Sequence, residues 1–331
     1  MRYSSSTTMT VNPEMPDRVS ILCPCFAKCH CLLAPCEMER PKPINVPLGQ
    51  QGPLQRLRVP KILAALTQVI GLDFQETAMD RGPAAMANEL LIARLHSHVS
   101  LNSAERAALA NLVSQSRSFS GRNTMLAGKL LDHHVHVIAD GFACRYRDLP
   151  DGRRQILSLL LPGDLVDLRQ FVLGGLQPPV AALSPIGLNA IPNDSLFALL
   201  EHYPRVTTAL WSTTLVEESI SREWLVSVGK RSAMERTAHL LCEIYLRLNA
   251  VERCEGARFA LPLTQSELAD VLGLSTVHVN RTLQELRRSG RIVFQGGMVE
   301  ILDFPGLAEQ GVFSPAYLHL RETPSLTAIP A

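Results

Sequence analysis

No segment of this chain is apolar for long enough to cross a membrane, since a spanning helix needs about 20 consecutive apolar residues. The N-terminus has no compact apolar segment after a basic start, so we expect no signal peptide. A strong charge of either sign is also missing, because 32 basic residues nearly balance 31 acidic ones and leave a net charge of +1. These absences predict a cytoplasmic protein, and 331 residues are enough for two domains with a substantial core.

The cysteines do not form the framework of a secreted protein. Five of the eight crowd into a short segment and the other three are scattered, which favours a reducing compartment. Successive cysteines of this segment have one, three, one and four residues between them, whereas metal-binding pairs usually have two residues between them. We therefore expect an incidental cysteine-rich segment with no metal, made up of Cys23, Cys25, Cys29, Cys31 and Cys36.

Residues 1–88 differ from the rest of the chain. Nine prolines fall before residue 61, and turn-forming residues are scattered between them. This composition predicts a disordered extension, because it offers little apolar surface to bury. The sequence after Met86 is a sensible start for a folded domain, so the extension need not belong to the functional protein.

The segment from Leu263 to Asp303 carries the most informative pattern. Thr264 and Glu267 have the spacing of a capping box that opens a helix, and Ser275 can cap a second helix. Gly273 permits the sharp turn between two helices that pack nearly at right angles. Apolar residues at helical spacing predict the buried face of the second helix: Val279, Leu283 and Leu286.

The opposite face of that second helix, from Ser275 to about Arg288, is polar and cationic. After it, residues 291–294 and 298–302 predict two short strands joined at Gly296 and Gly297, which fits a wing. From Ser275 to Gln295, four arginines accompany one glutamate, so the local charge is +3 and suits phosphate contacts. A helix buried on one side and polar on the other is typical of a DNA groove reader. The predicted DNA-binding residues are Thr264, Ser275, Thr276, Val277, His278, Asn280, Arg281, Gln284, Arg287, Arg288 and Arg291.

This pattern resembles the DNA-binding signature of the Crp/Fnr family of bacterial transcription regulators. The resemblance rests on Thr-Gln-Ser-Glu-Leu-Ala-Asp-Val-Leu-Gly-Leu-Ser at 264–275, followed by Val279, Arg281 and Leu283. It implies an α+β chain with a cyclic-nucleotide-binding-like jelly roll at 89–203, a dimerisation helix at 204–229 and a winged helix-turn-helix at 230–305, before a tail at 306–331. It also implies a homodimer that binds double-stranded DNA at a palindrome and works with RNA polymerase.

The resemblance also assigns roles within the second helix. Arg281 matches the family's arginine, whose planar guanidinium can bind guanine through two hydrogen bonds. The family usually has a glutamate near the start of this helix and often an arginine before it, but Val277 and Thr276 stand at those places. The half-site should therefore differ from the common family consensus. Arg287, Arg288 and Arg291 are better assigned to phosphates.

Residues 89–203 predict short strands with glycine-containing turns, as in a jelly roll. Family members that bind cyclic AMP hold the ribose with a Gly-Glu pair and the phosphate with an Arg-Ser or Arg-Thr pair. The corresponding positions here are 167–168 and 179–180, where the cation required by a buried phosphate is missing. We therefore expect no cyclic AMP, and assign a tentative pocket for another effector to Gly163, Asp164, Asp167 and Arg169.

Two other functions fit single features of the sequence. Some family members sense oxygen through an N-terminal cysteine-ligated cluster, so the cysteine-rich segment suggests a redox- or metal-sensing regulator; however, more than 50 residues separate it from the sensor domain. A metal hydrolase can use a His-x-His strand such as His134 and His136, but His202 and His239 fall in helical segments. We expect no enzyme activity, and neither an iron–sulfur cluster nor haem is supported.

Residues 205–228 contain neither glycine nor proline, which predicts a long helix. Such a helix suits a symmetric pair at a dimer interface, although packing within one chain is the alternative. Gly229 offers a hinge after it. The apolar residues that follow an intermittent helical spacing are Val206, Leu210, Val216, Ile220, Trp224 and Val228.

Overall fold

The computed structural model describes residues 81–112, 114–122, 126, 133–166, 168–173 and 178–322. The cysteine-rich segment, the extension before residue 81 and Asp167 lie outside the described residues. Within them, no helix is long and apolar enough to cross a bilayer.

The first half of the described chain is a sandwich of two antiparallel sheets flanked by helices. The sheets have the strand orders β1-β6-β2 and β4-β3-β5, each three strands wide. The elements are α1 Arg81–His96, α2 Ser103–Ala110, β1 Gln115–Phe119, β2 His134–Asp140, β3 Ala143–Asp148, β4 Arg154–Leu160, α3 Leu168–Leu173, β5 Val180–Ala182, β6 Ile186–Pro192 and α4 Asn193–His202.

Both faces of this sandwich are covered. Ile138 and Leu188 from one sheet meet Leu160 and Val180 from the other and fill the interior. The outer face of β2 packs against α1, α4 and the helix that follows, through apolar residues that include Val135 and Val137. The strands predicted from the sequence are therefore present, and the α+β class is confirmed.

A single long helix, α5 Pro204–Lys230, follows the sandwich. Its 27 residues span about 40 Å at 1.5 Å per residue. The first four residues of the predicted apolar stripe face the chain's own core, because Val206, Leu210, Val216 and Ile220 are all buried. The last two do not, since Trp224 is half-buried and Val228 is exposed. Gly229 lies inside the last turn, so the expected hinge is displaced to Arg231, whose extended backbone ends the helix.

The described C-terminal half folds as four α-helices and a short 3-10 helix with a small sheet, which has the order β7-β8-β10-β9. Its apolar residues share one cluster with the outer face of β3 and β4, where Phe142, Ile156 and Leu159 pack. The elements are α6 Ala233–Asn249, β7 Cys254–Glu255, β8 Arg258–Ala260, α7 Gln265–Leu272, α8 Thr276–Arg288, β9 Ile292–Gln295, β10 Met298–Ile301, α9 Phe304–Gln310 and a 3-10 helix, Pro315–Leu318.

Residues 311–322, which we call the C-terminal strap, return to α5 and α1. Gly311 packs directly on α6, where an added Cβ would lie 2.6 Å from the backbone nitrogen of His239. Tyr317 stacks on the His239 ring and lies 3.0 Å from its Nε2. Burial lowers the pKa of His239 to about 4, so the ring is neutral at pH 7. The strap ends on α1, where the backbone of Arg321 donates to the Ser97 carbonyl at 2.8 Å.

A buried ionic network joins the two halves. Asp164, in the turn after β4, lies 2.9 Å from Arg94 of α1 and 2.7 Å from Arg247 of α6. Arg247 also pairs with Glu243, at 3.3 Å. Glu243 accepts hydrogen bonds from Trp224 of α5 and Tyr317 of the strap. Burial opposes ionisation of Asp164, but the two arginines outweigh it and lower the pKa of this carboxyl group.

Replacing Asp164 with alanine should destabilise the protein by about 3–5 kcal/mol, because Arg94 and Arg247 would stay buried without their carboxylate. Urea unfolding followed by circular dichroism measures the change. Asp151→Ala is the control, since Asp151 pairs with Arg153 in an exposed turn where ion pairs contribute little. Equal midpoints for the two variants would show that the network does not stabilise the fold.

Candidate nucleic-acid interface

The first helix of the candidate interface, α7, begins at the predicted capping box. The Thr264 hydroxyl accepts from the Glu267 backbone at 3.2 Å, and the Glu267 carboxylate accepts from the Thr264 backbone at 2.7 Å. The Glu267 carboxylate also forms a salt bridge with Arg122 of the sandwich, at 3.1 Å. One buried carboxylate therefore both starts the helix and fixes it to the other half of the chain.

The turn between α7 and α8 has the geometry that the sequence predicted. Gly273 adopts φ +62 and ψ +38, a left-handed conformation that costs other residues energy. Two residues later, the Ser275 side chain accepts from the His278 backbone and caps α8. These local interactions set the direction in which α8 leaves the turn.

α8 has a buried face and an exposed face. Val279, Leu283 and Leu286 are buried in the shared cluster, as predicted. Thr282 is buried too, and its hydroxyl lies 3.2 Å from that of Thr237 on α6, which fixes the rotation of α8 about its axis. The exposed face carries Thr276, Val277, His278, Arg281, Gln284, Arg287 and Arg288, with Asn280 half-buried beside them.

The side chains of the exposed face differ in how firmly they are held. Gln284 donates to the Asn280 side chain at 3.3 Å, one helical turn away. Arg287 lies 6.0 Å from the centre of the Phe294 ring on the wing strand β9. Arg287 and Arg288 also occupy the last turn of α8, where positive charge is favoured by the helix dipole.

Two predicted contacts lie at the edge of this surface. Arg291 pairs with Asp303 within the chain, so its charge is partly neutralised. That pairing leaves Arg291 with less unbalanced positive charge than Arg287 or Arg288. Thr264 is exposed at the start of α7, where its hydroxyl is already used in the capping box.

The sequence reasoning missed the residues beside Thr264. Gln265 and Ser266 are exposed in the first turn of α7, next to Thr264. The first helix of a helix-turn-helix crosses the DNA backbone, and backbone N–H groups at a helix start attract phosphate. The motif itself therefore indicates these two residues as candidate phosphate contacts, since polar residues directly after the helix cap face outward.

The sandwich holds α7 at a second point. The Gln155 amide of β4 donates to the carbonyl of Asp270 at 2.9 Å. Arg236 of α6 donates to the carbonyl of Leu272 at 3.0 Å. Both bonds reach the last turn of α7, so the position of α8 depends on the sandwich as well as on the turn.

Three of the four residues predicted for the effector pocket are described by the structure, and they do not line a common cavity among the described residues. Asp164 is buried with both carboxylate oxygens bound in the ionic network, so its role is structural. Gly163 packs against α1, where an added Cβ would lie 3.1 Å from the Leu90 carbonyl. Arg169 is exposed on α3. The sequence suggested a pocket because these residues are adjacent in the chain, but folding directs Gly163 and Asp164 towards the helices.

The two histidines of the predicted His-x-His pattern lie on strand β2. His134 and His136 share a face of β2 with ring centres 6.3 Å apart. Among the residues that the structure describes, no three His, Cys, Asp or Glu side chains are close enough together to bind a metal ion.

The three described cysteines are reduced and poorly reactive. Cys144 and Cys242 are buried, and Cys254 is half-buried. Burial raises the pKa of Cys144 to about 11 and that of Cys254 to about 12, so few thiolates form at pH 7.

Comparison with known proteins agrees with this geometry. Residues 235–310 match the model of the Crp-like helix-turn-helix domain. The chain is 32% identical over 213 residues to the transcriptional activator protein FnrL of Cereibacter sphaeroides, covering 62% of this chain and 84% of that protein. It is 28% identical over 185 residues to the nitrogen fixation regulation protein FixK of Bradyrhizobium diazoefficiens, covering 56% and 77%. The solved structure of FixK2 from Bradyrhizobium japonicum aligns with a TM-score of 0.52 at 26% identity, covering 60% of this chain and 98% of that one.

Two glycine substitutions should change stability in opposite directions. Gly273→Ala has room for a methyl group, with the nearest atoms 3.8 Å away, but the left-handed backbone should cost about 1–2 kcal/mol. Gly229→Ala lies in a helical turn with open space around it and should stabilise by about 0.5 kcal/mol. Chemical denaturation of both variants tests this, and a neutral Gly273→Ala would contradict the geometry of the turn.

Proposed function

Because the chain belongs to the Crp/Fnr family of bacterial transcription regulators, we propose that it binds a palindromic operator as a homodimer, with one α8 helix from each protomer in successive major grooves. It is a DNA-binding transcription regulator rather than an enzyme. The observation that carries the proposal is the division of α8 into a buried apolar face and an exposed polar, cationic face.

The outer face of α5 supports the homodimer. Trp211, Leu215 and Leu225 are 73%, 64% and 74% exposed, which is unusual for large apolar side chains on a well-packed helix. Together with Glu218 and Arg222, which pair with each other, they recur in steps of four and three residues. That spacing is the seam of a two-stranded coiled coil, so a second copy of α5 would cover it.

Leu215→Glu should convert the dimer to a monomer, because it replaces an apolar side chain of the seam with a second carboxylate next to Glu218. Sedimentation equilibrium at micromolar concentration measures the change. Leu149→Glu is the matched control, since Leu149 is exposed in the turn between β3 and β4 and is not part of the seam. A Leu215→Glu variant that remains dimeric would move the interface elsewhere.

We assign different roles to the arginines of α8. Arg281 lies in the middle of the exposed face, where its guanidinium can form two hydrogen bonds to guanine. Thr276, His278, Asn280 and Gln284 are further candidates for base or phosphate contacts. Arg287 and Arg288, at the end of the helix, are placed to contact phosphates, with Thr264, Ser275 and Arg291 at the edge of the surface.

Arg281→Ala should lose about 1–3 kcal/mol of operator binding and relax the preference at one base pair. Arg288→Ala should weaken all sequences alike and reduce the salt dependence of binding by about one phosphate contact. Binding isotherms at several salt concentrations, on the operator and on single-base variants, separate the two effects. Identical behaviour of the two variants on all these sequences would refute the division of roles.

We also propose that the regulator acts in the cytoplasm through RNA polymerase, since several relatives are named transcriptional activators. Cyclic AMP is not the proposed signal. Val180 is buried in β5. It stands in the place of the Arg-Ser or Arg-Thr pair that holds the phosphate in family members that bind cyclic AMP. Arg145, the nearby cation of the sandwich, is bound to the carbonyls of Leu165 and Val166 and to Glu217.

A further inference from the structure

Val277 is an exposed apolar residue at the start of α8. It is the second residue of the helix and is 75% exposed, more than any other large apolar side chain that the structure describes. The opposite face of α8 packs against the core, where Val279, Leu283 and Leu286 are buried. Folding therefore does not require an apolar side chain at position 277. The exposed methyl groups of Val277 are free to contact a surface outside the chain.

The neighbours of Val277 define the surface that it can meet. The first turn of α8 carries no acidic residue, so no carboxylate there favours the amino group of cytosine. Arg281 follows four residues later, on the same face and about 6 Å along the axis. A ligand that touches both residues must present an apolar group and a bidentate acceptor within that distance.

Within the major groove, the C5-methyl group of thymine is the apolar feature of the base edges, and guanine offers the bidentate acceptor. The distance between Val277 and Arg281 corresponds to about two base-pair steps. Valine has few rotamers to lose, so packing it against a methyl group costs little side-chain entropy. A cytosine in the same place would bury its amino donor against methyl groups without a partner.

We propose that Val277 reads the methyl group of a thymine within about two base pairs of the guanine bound by Arg281. The proposal rests on the proposed function, in which α8 enters the major groove. It makes Val277 a specificity-determining residue and gives the half-site a thymine where a glutamate at this position would favour cytosine.

The test begins with selection of an operator by the full-length protein from random double-stranded DNA. Each half-site thymine is then replaced by deoxyuridine, which removes only the methyl group, and affinity is measured by fluorescence anisotropy. One replacement should weaken wild-type binding about three- to fivefold, the value of one buried methyl group. Replacing that thymine with cytosine should weaken binding further, and 5-methylcytosine should recover part of the loss.

Variants assign the effect to Val277. Val277→Ala shortens the side chain and should reduce the difference between the thymine and deoxyuridine operators, and Val277→Glu should shift the preference at that position towards cytosine. Val293→Ala is the matched control, because Val293 is an exposed valine on the wing strand β9 and its loss should leave the deoxyuridine effect intact. Circular dichroism confirms that each variant is folded.

Three outcomes distinguish the inference from the proposed function. If no operator is selected, the proposed function itself fails. If an operator is selected but no thymine methyl group matters, only the role of Val277 is overturned. A methyl effect of undiminished size in Val277→Ala also overturns it, since another residue would then read the thymine.

Discussion

The contact of Asp164 with Arg94 and Arg247 holds the molecule together. It joins the turn after β4 to α1 and α6, at distances of 2.9 and 2.7 Å, and Glu243 extends it to α5 and to the C-terminal strap. Replacing such a network by apolar residues need not reduce stability, because desolvation offsets much of the ionic attraction. Its directional contacts fix the distances between α1, α6 and the turn after β4, because each charged group needs its partner within hydrogen-bonding reach.

That arrangement determines where α8 points. The carboxylate of Glu267 and the carbonyls of Asp270 and Leu272 tie α7 to the sandwich and to α6. Thr282 fixes the rotation of α8 against Thr237. The polar face of α8 is thus presented by a framework that extends to the far side of the sandwich, so a change at the sandwich can alter the presentation of α8.

Local features of the structure were predictable from the sequence and long-range ones were not. The capping box at Thr264 depends on residues three positions apart, and the structure contains it. The face of α5 that meets the core could not be chosen, because the helix has apolar residues on two faces and only the packed structure distinguishes them. The role of Asp164 was also hidden, since its partners lie 70 and 83 residues away in sequence.

The apolar cluster shared by the sandwich and the C-terminal half limits how this chain can be recombined. Phe142, Ile156 and Leu159 are covered by the C-terminal helices. A chimera that joined α6 to α9 to a different sandwich would leave these side chains in water and would lack a matching surface for its own helices. Exchange of DNA specificity between relatives is therefore easier by substitution on the exposed face of α8 than by exchange of whole modules.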